Sequence, residues 1–412
     1  MNATHLGEIG NPLDMSKRRG EPISTTIASS PTRLPRRDLV ILPLLSILTI
    51  AFLLVSSEVA ARHFFPESSG GDPCRVADPA IGFKYRPNCT SRVKSAEGPW
   101  VVNHYNECGY RTNESCGEKP SGSIRIALIG SSVAQGSYVG YDEIWATRAA
   151  TDLTRMCRRP VEVQNLGREV CLPICEFHRI DEALALKPDL AVMTVSPYDL
   201  ERLVPSEIPD VSEPLPQQPA SIAAPETLSL LKRAQTLVTE SRAVTVAEHY
   251  LFQDPSTYVR IYLAYGDKAD FLRTPFSPLW EGRLEGFDLL LGEIAQKFHA
   301  AHVPFALIEM PSLAQVSVLA LKSRPPGVDP YALNQRLKEI SSRHGVQFVN
   351  VLDSFQRMPG SNKLFYMVDG HLGGKGQALV SAPFVDQLTQ GTTPALSSCS
   401  ARPPEQSVDE SF

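Results

Sequence analysis

Two short stretches of this chain combine residue types that could carry out nucleophilic catalysis. The first is Gly130-Ser131-Ser132-Val133-Ala134-Gln135-Gly136, which follows an apolar run beginning at Ile124. A serine at a tight strand-to-helix junction has an exposed hydroxyl with the N–H groups of the helix start beside it, which suits a nucleophile whose attack creates an oxyanion. The same turn can also be a plain helix cap. It lacks the Gly-Lys-Ser/Thr ending of a phosphate-binding loop, which argues against nucleotide hydrolysis. The second stretch is Val368-Asp369-Gly370-His371-Leu372, ahead of a segment with Gly373, Gly374 and Gly376. An Asp two residues before a His at a helix start can hold the imidazole in one tautomer while its other nitrogen faces a serine. Alone, Asp-Gly-His is also an ordinary polar turn. Together, at opposite ends of one domain, the two stretches point to acyl transfer.

The elements that must position them follow from hydrophobic patterning. Ile124 to Gly130 reads as a buried strand, followed by a helix over about 143–158, a second strand over 161–167 and a third over 189–196. A proline-rich stretch, 205–225, interrupts the series. Helical patterns near 226–250 and 282–302 come next, then a strand at 305–310, a helix at 329–344, a strand at 346–351 and a last helix at 374–389. Strands alternating with helices predict a parallel sheet covered on both faces. Ligands in such sheets bind outside the carboxyl ends of the strands, which is where both candidate stretches fall.

Composition bounds the setting. The 412 residues carry a formal charge of −5, with no electrostatic footprint for nucleic acid. Hydrophobic and charged shares of 42% and 21% fit a globular chain and exclude wholesale disorder or a multi-span membrane protein. Leu39 to Ser57 contains no charge and is long enough as a helix to cross a bilayer, and it lies too far from the start for a usual signal peptide, the rival reading. Lys17, Arg18, Arg19, Arg33, Arg36 and Arg37 precede it, whereas Arg62 alone follows closely, so the positive-inside rule places the N-terminus in the cytoplasm. All eight cysteines lie beyond this segment, which agrees with an oxidising compartment. Their connectivity is open among about a hundred pairings. The best single pair is Cys108 with Cys116, across a short loop. His299 and His302 lie three apart without a third ligand nearby in sequence, so no metal or cofactor is expected.

With these residues in view, positions 77–390 resemble the SGNH/GDSL hydrolases, a family of serine esterases, lipases and acetylhydrolases. Their first block, a strand and then GDSxxxG, is matched by Ile126 to Gly136, with Ser131 in place of the Asp. Asn165-Leu166-Gly167 matches the second block, and Asp369 with His371 the last. Asp78 to Phe83, Arg86-Pro87-Asn88 and Asn106 to Arg111 resemble the lead-in of exported bacterial members. The third block, GxND, reads Ser196-Pro197-Tyr198-Asp199, so Tyr198 stands where the family carries an oxyanion-hole Asn.

The resemblance implies a flavodoxin-like three-layer α/β sandwich with a central parallel sheet, preceded by one transmembrane helix. It implies Ser132 as nucleophile, His371 as general base and Asp369 as its orienting carboxylate. The N–H groups of Ser132 and Gly167 would form the oxyanion hole, with Tyr198 at its third position. The expected organisation is a disordered cytoplasmic tail (1–38), the membrane helix (39–57), an exported lead-in (58–122) and a hydrolase-like domain (123–390) with an insertion over about 205–280. A flexible tail (391–412) completes it. The expected protein is an inner-membrane, single-pass esterase acting in the periplasm on an O-acyl group of a glycan or lipid. Two alternatives stand beside it: an O-acetyltransferase of exported polysaccharide, and a non-catalytic binding module reshaped by Tyr198. The oligomeric state is not encoded legibly.

Overall fold

The computed structural model describes residues 37–65, 67–79, 81–203, 241–391, 393–397 and 399. Positions 1–36 of the expected N-terminal tail, positions 204–240 of the expected insertion and most of the expected C-terminal tail lie outside them. Two compact units emerge, 1–55 and 56–412. The described part of the first is a helical stretch of α1 (Asp38–Phe64). This helix is long and apolar enough to cross a membrane, with a mean hydropathy of 2.7 over its most apolar window and none of that window buried. It runs beyond the apolar stretch at its end, where Glu58 and Arg62 enter it.

The second unit begins with two antiparallel hairpins, where the sequence offered only a lead-in. They are β1 (Arg75–Asp78) with β2 (Gly82–Tyr85), and β3 (Thr90–Val93) with β4 (Val101–His104). A Cys74–Cys89 disulfide with Cα atoms 5.9 Å apart ties them, as does buried Asp72, which accepts hydrogen bonds from Ser91, Asn103 and Tyr105. Strands this short bury few side chains, so buried polar partners and a covalent link stand in for a larger core.

Next comes β5 (Ile124–Ile129), leading into α2 (Ser132–Gln135), and α3 (Trp145–Cys157) leads to β6 (Val161–Asn165). Short helices α4 (Pro173–Phe177) and α5 (Ile180–Ala185) precede β7 (Leu190–Val195), which α6 (Pro197–Glu201) follows. After the undescribed stretch come α7 (Arg242–Leu251), α8 (Pro255–Leu263) and the long α9 (Pro278–Ala300). The order then runs β8 (Phe305–Glu309), α10 (Leu313–Leu319), α11 (Ala332–Arg343), β9 (Gln347–Val349), α12 (Leu352–Arg357) and α13 (Gly374–Thr389).

The five strands β5 to β9 form one parallel sheet in the order β6-β5-β7-β8-β9, a doubly wound, flavodoxin-like arrangement. Every residue of β5, β6, β7 and β8 is buried, as strands covered on both faces require. Ile124, Ile126 and Leu128 pack with α3, α12 and α13, and Ala127 and Ile129 pack with α5, α9 and α11 on the other face. The three-layer expectation therefore matches the observed architecture. Part of the expected loose tail is docked: Leu396 and Cys399 are fully buried, and Cys399 is bonded to Cys157 at the end of α3.

Candidate functional site

Ser132 is the first residue of α2, directly after β5. The turn is possible because position 130 is glycine: a Cβ there would run into Thr194 Oγ1 of β7 and Ala134 Cβ. Arg111, from the segment before β5, is almost completely buried and donates to the carbonyls of Gln135, Gly136 and Val139. The first two are acceptors that a four-residue helix leaves unmet at its end. Gln135 is anchored in turn by its amide, which donates to the hydroxyls of the stacked Tyr85 and Tyr105. The hairpins that precede the sheet thus fix the serine turn.

Asp369 and His371 lie in a tight loop before α13. Its neck is closed by the Tyr366 N–H to the His371 carbonyl (2.9 Å) and the Gly370 N–H to the Tyr366 carbonyl (2.8 Å). Across the mouth of the sheet, Ser132 Oγ lies 2.7 Å from His371 Nε2, and His371 Nδ1 lies 2.6 Å from Asp369 Oδ1. The carboxylate can only accept, so Nδ1 donates to it and Nε2 is left to accept from the serine hydroxyl. His371 and Asp369 keep 24% and 22% of their side-chain surface open, enough for a substrate to approach. Burial opposes the charged forms of both, but their mutual attraction and hydrogen bonding dominate. The imidazole is held above its ordinary value, with Asp199 adding, and the Asp369 carboxyl below its own.

The oxyanion side differs from the expectation. Gly167 does sit against α2, so closely that a Cβ would strike the backbone of Ala134 and Gln135. Its N–H, however, is donated to Asn165 Oδ1 at 2.9 Å. Tyr198 is half exposed, its ring lies beneath the Arg202 guanidinium at 4.6 Å, and no hydrogen bond joins it to Ser132 or His371. Of the two backbone donors expected, the Gly167 N–H is taken by Asn165, while the Ser132 N–H has no hydrogen-bond partner among the described residues.

Three residues at the site escaped the sequence reading. Tyr138 takes a left-handed φ of 63° and sets its ring edge-on to His371, with centroids 5.5 Å apart. Asp199, fully buried, accepts from the Ser196 N–H and hydroxyl through one oxygen, Oδ2, at 2.8 Å. Burial pushes its carboxyl up to about 6 against those hydrogen bonds. Glu176 lies near it, raised well above the carboxylate range by burial and then by the charge of Asp199. The only sequence signal for Asp199 was its place in the third block.

No protein-family profile matches the chain, and no curated protein matches it. Solved structures do. TesA is 13% identical over 64% of this chain and 98% of its own, with a TM-score of 0.36. The psychrotrophic esterase EstA from Pseudoalteromonas sp. is 13% identical over 65% and 97%, with a TM-score of 0.35. A catalytic mutant of Axe2, an acetylxylan esterase from Geobacillus stearothermophilus, is 10% identical over 64% and 94%, with a TM-score of 0.36.

Proposed function

We propose that this chain is a membrane-anchored serine acyl hydrolase of the SGNH type. The observation that supports it best is the continuous relay from Ser132 through His371 to Asp369, at 2.7 and 2.6 Å. Ser132 Oγ attacks the carbonyl carbon of an ester as His371 Nε2 takes its proton, and Asp369 steadies the imidazolium that forms. The negative oxygen is received by the Ser132 N–H, and by the Gly167 N–H once it exchanges Asn165 Oδ1 for the oxyanion. Collapse breaks the ester bond, and His371 returns its proton to the leaving alcohol. Water, activated by His371, then releases the acid and restores the serine. The substrate we assign is an O-acyl group on an envelope glycan or lipid, and the compartment is the periplasm. The apolar helix α1, the basic residues before it and the four disulfides support that placement.

The acid–base pair predicts a direction with pH. A raised His371 favours the imidazolium, so the free base appears only as pH rises past the ordinary imidazole value of about 6.5. For short-chain nitrophenyl esters, kcat/KM should therefore climb with pH through a midpoint above that value. Asp369→Asn should move the midpoint down and lower the plateau by about 10,000-fold. An unchanged midpoint would count against this assignment of roles.

Tyr198 tests the hole. Tyr198→Asn restores an amide at the third donor position, and turnover should rise, with an upper bound of about 100- to 1000-fold. Tyr198→Phe should leave kcat nearly unchanged, because its hydroxyl makes no bond to the site. A slowed Tyr198→Phe with unchanged KM would show the phenol to be a donor after all. No turnover of any ester by the parent chain would overturn the hydrolase reading.

A further inference from the structure

The loop that carries Asp369 and His371 closes its neck with its own hydrogen bonds, but two amides at its tip point elsewhere. The N–H groups of Val368 and Asp369 are both donated to one oxygen, Glu97 Oε2, at 2.8 and 3.0 Å. Glu97 belongs to the β3–β4 hairpin connection, 272 residues away in sequence from Asp369. Its other oxygen, Oε1, accepts from His249 Nδ1 at 2.6 Å, and His249 lies near the end of α7, within the insertion. The Glu97 side chain is only 4% exposed. Three segments distant in sequence therefore converge on one carboxylate directly behind the Asp369–His371 pair.

The carboxylate is itself held in place. The Glu97 and Gly98 N–H groups are donated to Ser95 Oγ, and the Arg242 guanidinium donates to the Ala96 carbonyl. The start of α7 is fixed by Glu58, in the last turns of α1, which accepts from the Ser241 hydroxyl and from the N–H groups of Arg242 and Ala243. Both sides of the Glu97–His249 contact thus rest on ordered backbone.

We infer that Glu97 and His249 are positioning residues for the proposed hydrolase: a carboxylate–imidazole brace that orients the Val368–Asp369 peptide so that Asp369 meets His371. The inference rests on the hydrolase reading. Its physical basis is local. The Asp369 carboxylate is set by its own backbone, and two convergent N–H donors fix that peptide plane where the loop's internal bonds do not. A displaced carboxylate would leave the imidazole free to turn away from Ser132, and misplacement by about 1 Å can cost about 100-fold in rate.

The test uses the full chain in detergent, with three variants and two readouts. Glu97→Ala should lower kcat by about 100-fold with KM nearly unchanged, and should speed hydrogen exchange at the Val368 and Asp369 amides. Glu97→Gln should retain most of the activity and the protection. Its amide oxygen can accept both N–H groups while its nitrogen donates to the other tautomer of His249. His249→Ala should shift both readouts in the direction of Glu97→Ala, by less, and serves if that variant fails to fold. In an Asp369→Ala background, Glu97→Ala should add almost nothing, because it acts through the missing carboxylate. Unchanged exchange at 368 and 369 in Glu97→Ala, or a kcat loss that adds in full on Asp369→Ala, would overturn the brace. A parent without ester turnover sinks the hydrolase reading alone, since the amide exchange still reads the contact.

Discussion

Ser132→Ala should lower kcat on short-chain nitrophenyl esters by about a million-fold, and His371→Ala should cost nearly as much. The reason is the chain of hydrogen bonds: the serine is a useful nucleophile only while an imidazole takes its proton, and the imidazole has no task without the serine. The double variant should therefore be no slower than either single one, which marks groups that act as one unit. In many serine hydrolases a residual acceleration of about 1000- to 10,000-fold survives such changes, because an intact oxyanion hole still favours attack by water. Here the Gly167 N–H is engaged by Asn165, and Tyr198, its ring beneath the Arg202 guanidinium, has no hydrogen bond to Ser132 or His371. The residual rate should accordingly fall below that range. Burst kinetics of nitrophenol release would check the same claim independently, with a burst in the parent and none in Ser132→Ala. Retention of most activity in Ser132→Ala would move the chemistry to another residue.

Replacing both Cys157 and Cys399 with alanine should cost the folded domain about 5 kcal/mol, read as a lower urea midpoint of the purified chain. The two residues are 242 apart in sequence, with Cα atoms 4.2 Å apart. Their bond closes a loop containing β6 to β9 and α13, so the unfolded chain loses much of its conformational freedom through it. Cys171→Ala with Cys175→Ala makes the contrast. That pair is 4 residues apart, and the same chain-entropy reasoning gives about 2 kcal/mol. Equal losses from the two pairs would show that local packing, not chain closure, sets the contribution.

Much of the core was legible because buried parallel strands leave continuous apolar runs. The observed β5 and β8, for example, fall within one residue of the stretches read from patterning. That Ser132, Asp369 and His371 come together was legible because each lies beside an element end, where a short motif reports local geometry. Cys108 with Cys116 was legible for the same reason, and their Cα atoms are 6.2 Å apart. The hairpins of 75–104 were not, since four-residue strands with alternating burial carry too little pattern. Glu97 and His249 gave no signal at all, and Arg111 was visible only as the end of the lead-in match, with no hint of its place under the serine turn. Their partners are distant in sequence, and a buried carboxylate or guanidinium looks like any surface charge until the fold surrounds it. The donation of the Gly167 N–H to Asn165 was equally hidden, because a motif names a residue and not the direction of its hydrogen bond.

The pairing of Cys157 with Cys399 also bears on the order of biogenesis. A chain that is oxidised as it emerges presents Cys157 long before its partner, and Cys171 and Cys175 come into reach first. Pairing by order of appearance would join Cys157 to Cys171 and leave Cys175 for Cys399, in place of the native Cys157–Cys399 and Cys171–Cys175. The native set therefore requires either that Cys157 stay reduced until the last strand is in place, or that an early wrong bond be exchanged later. On the second route the exchange proceeds by thiolate attack on the wrong disulfide, the reaction that reshuffles such bonds. The last covalent lock on the sheet would then close only after the serine turn, the Asp369–His371 loop and α13 have already found one another.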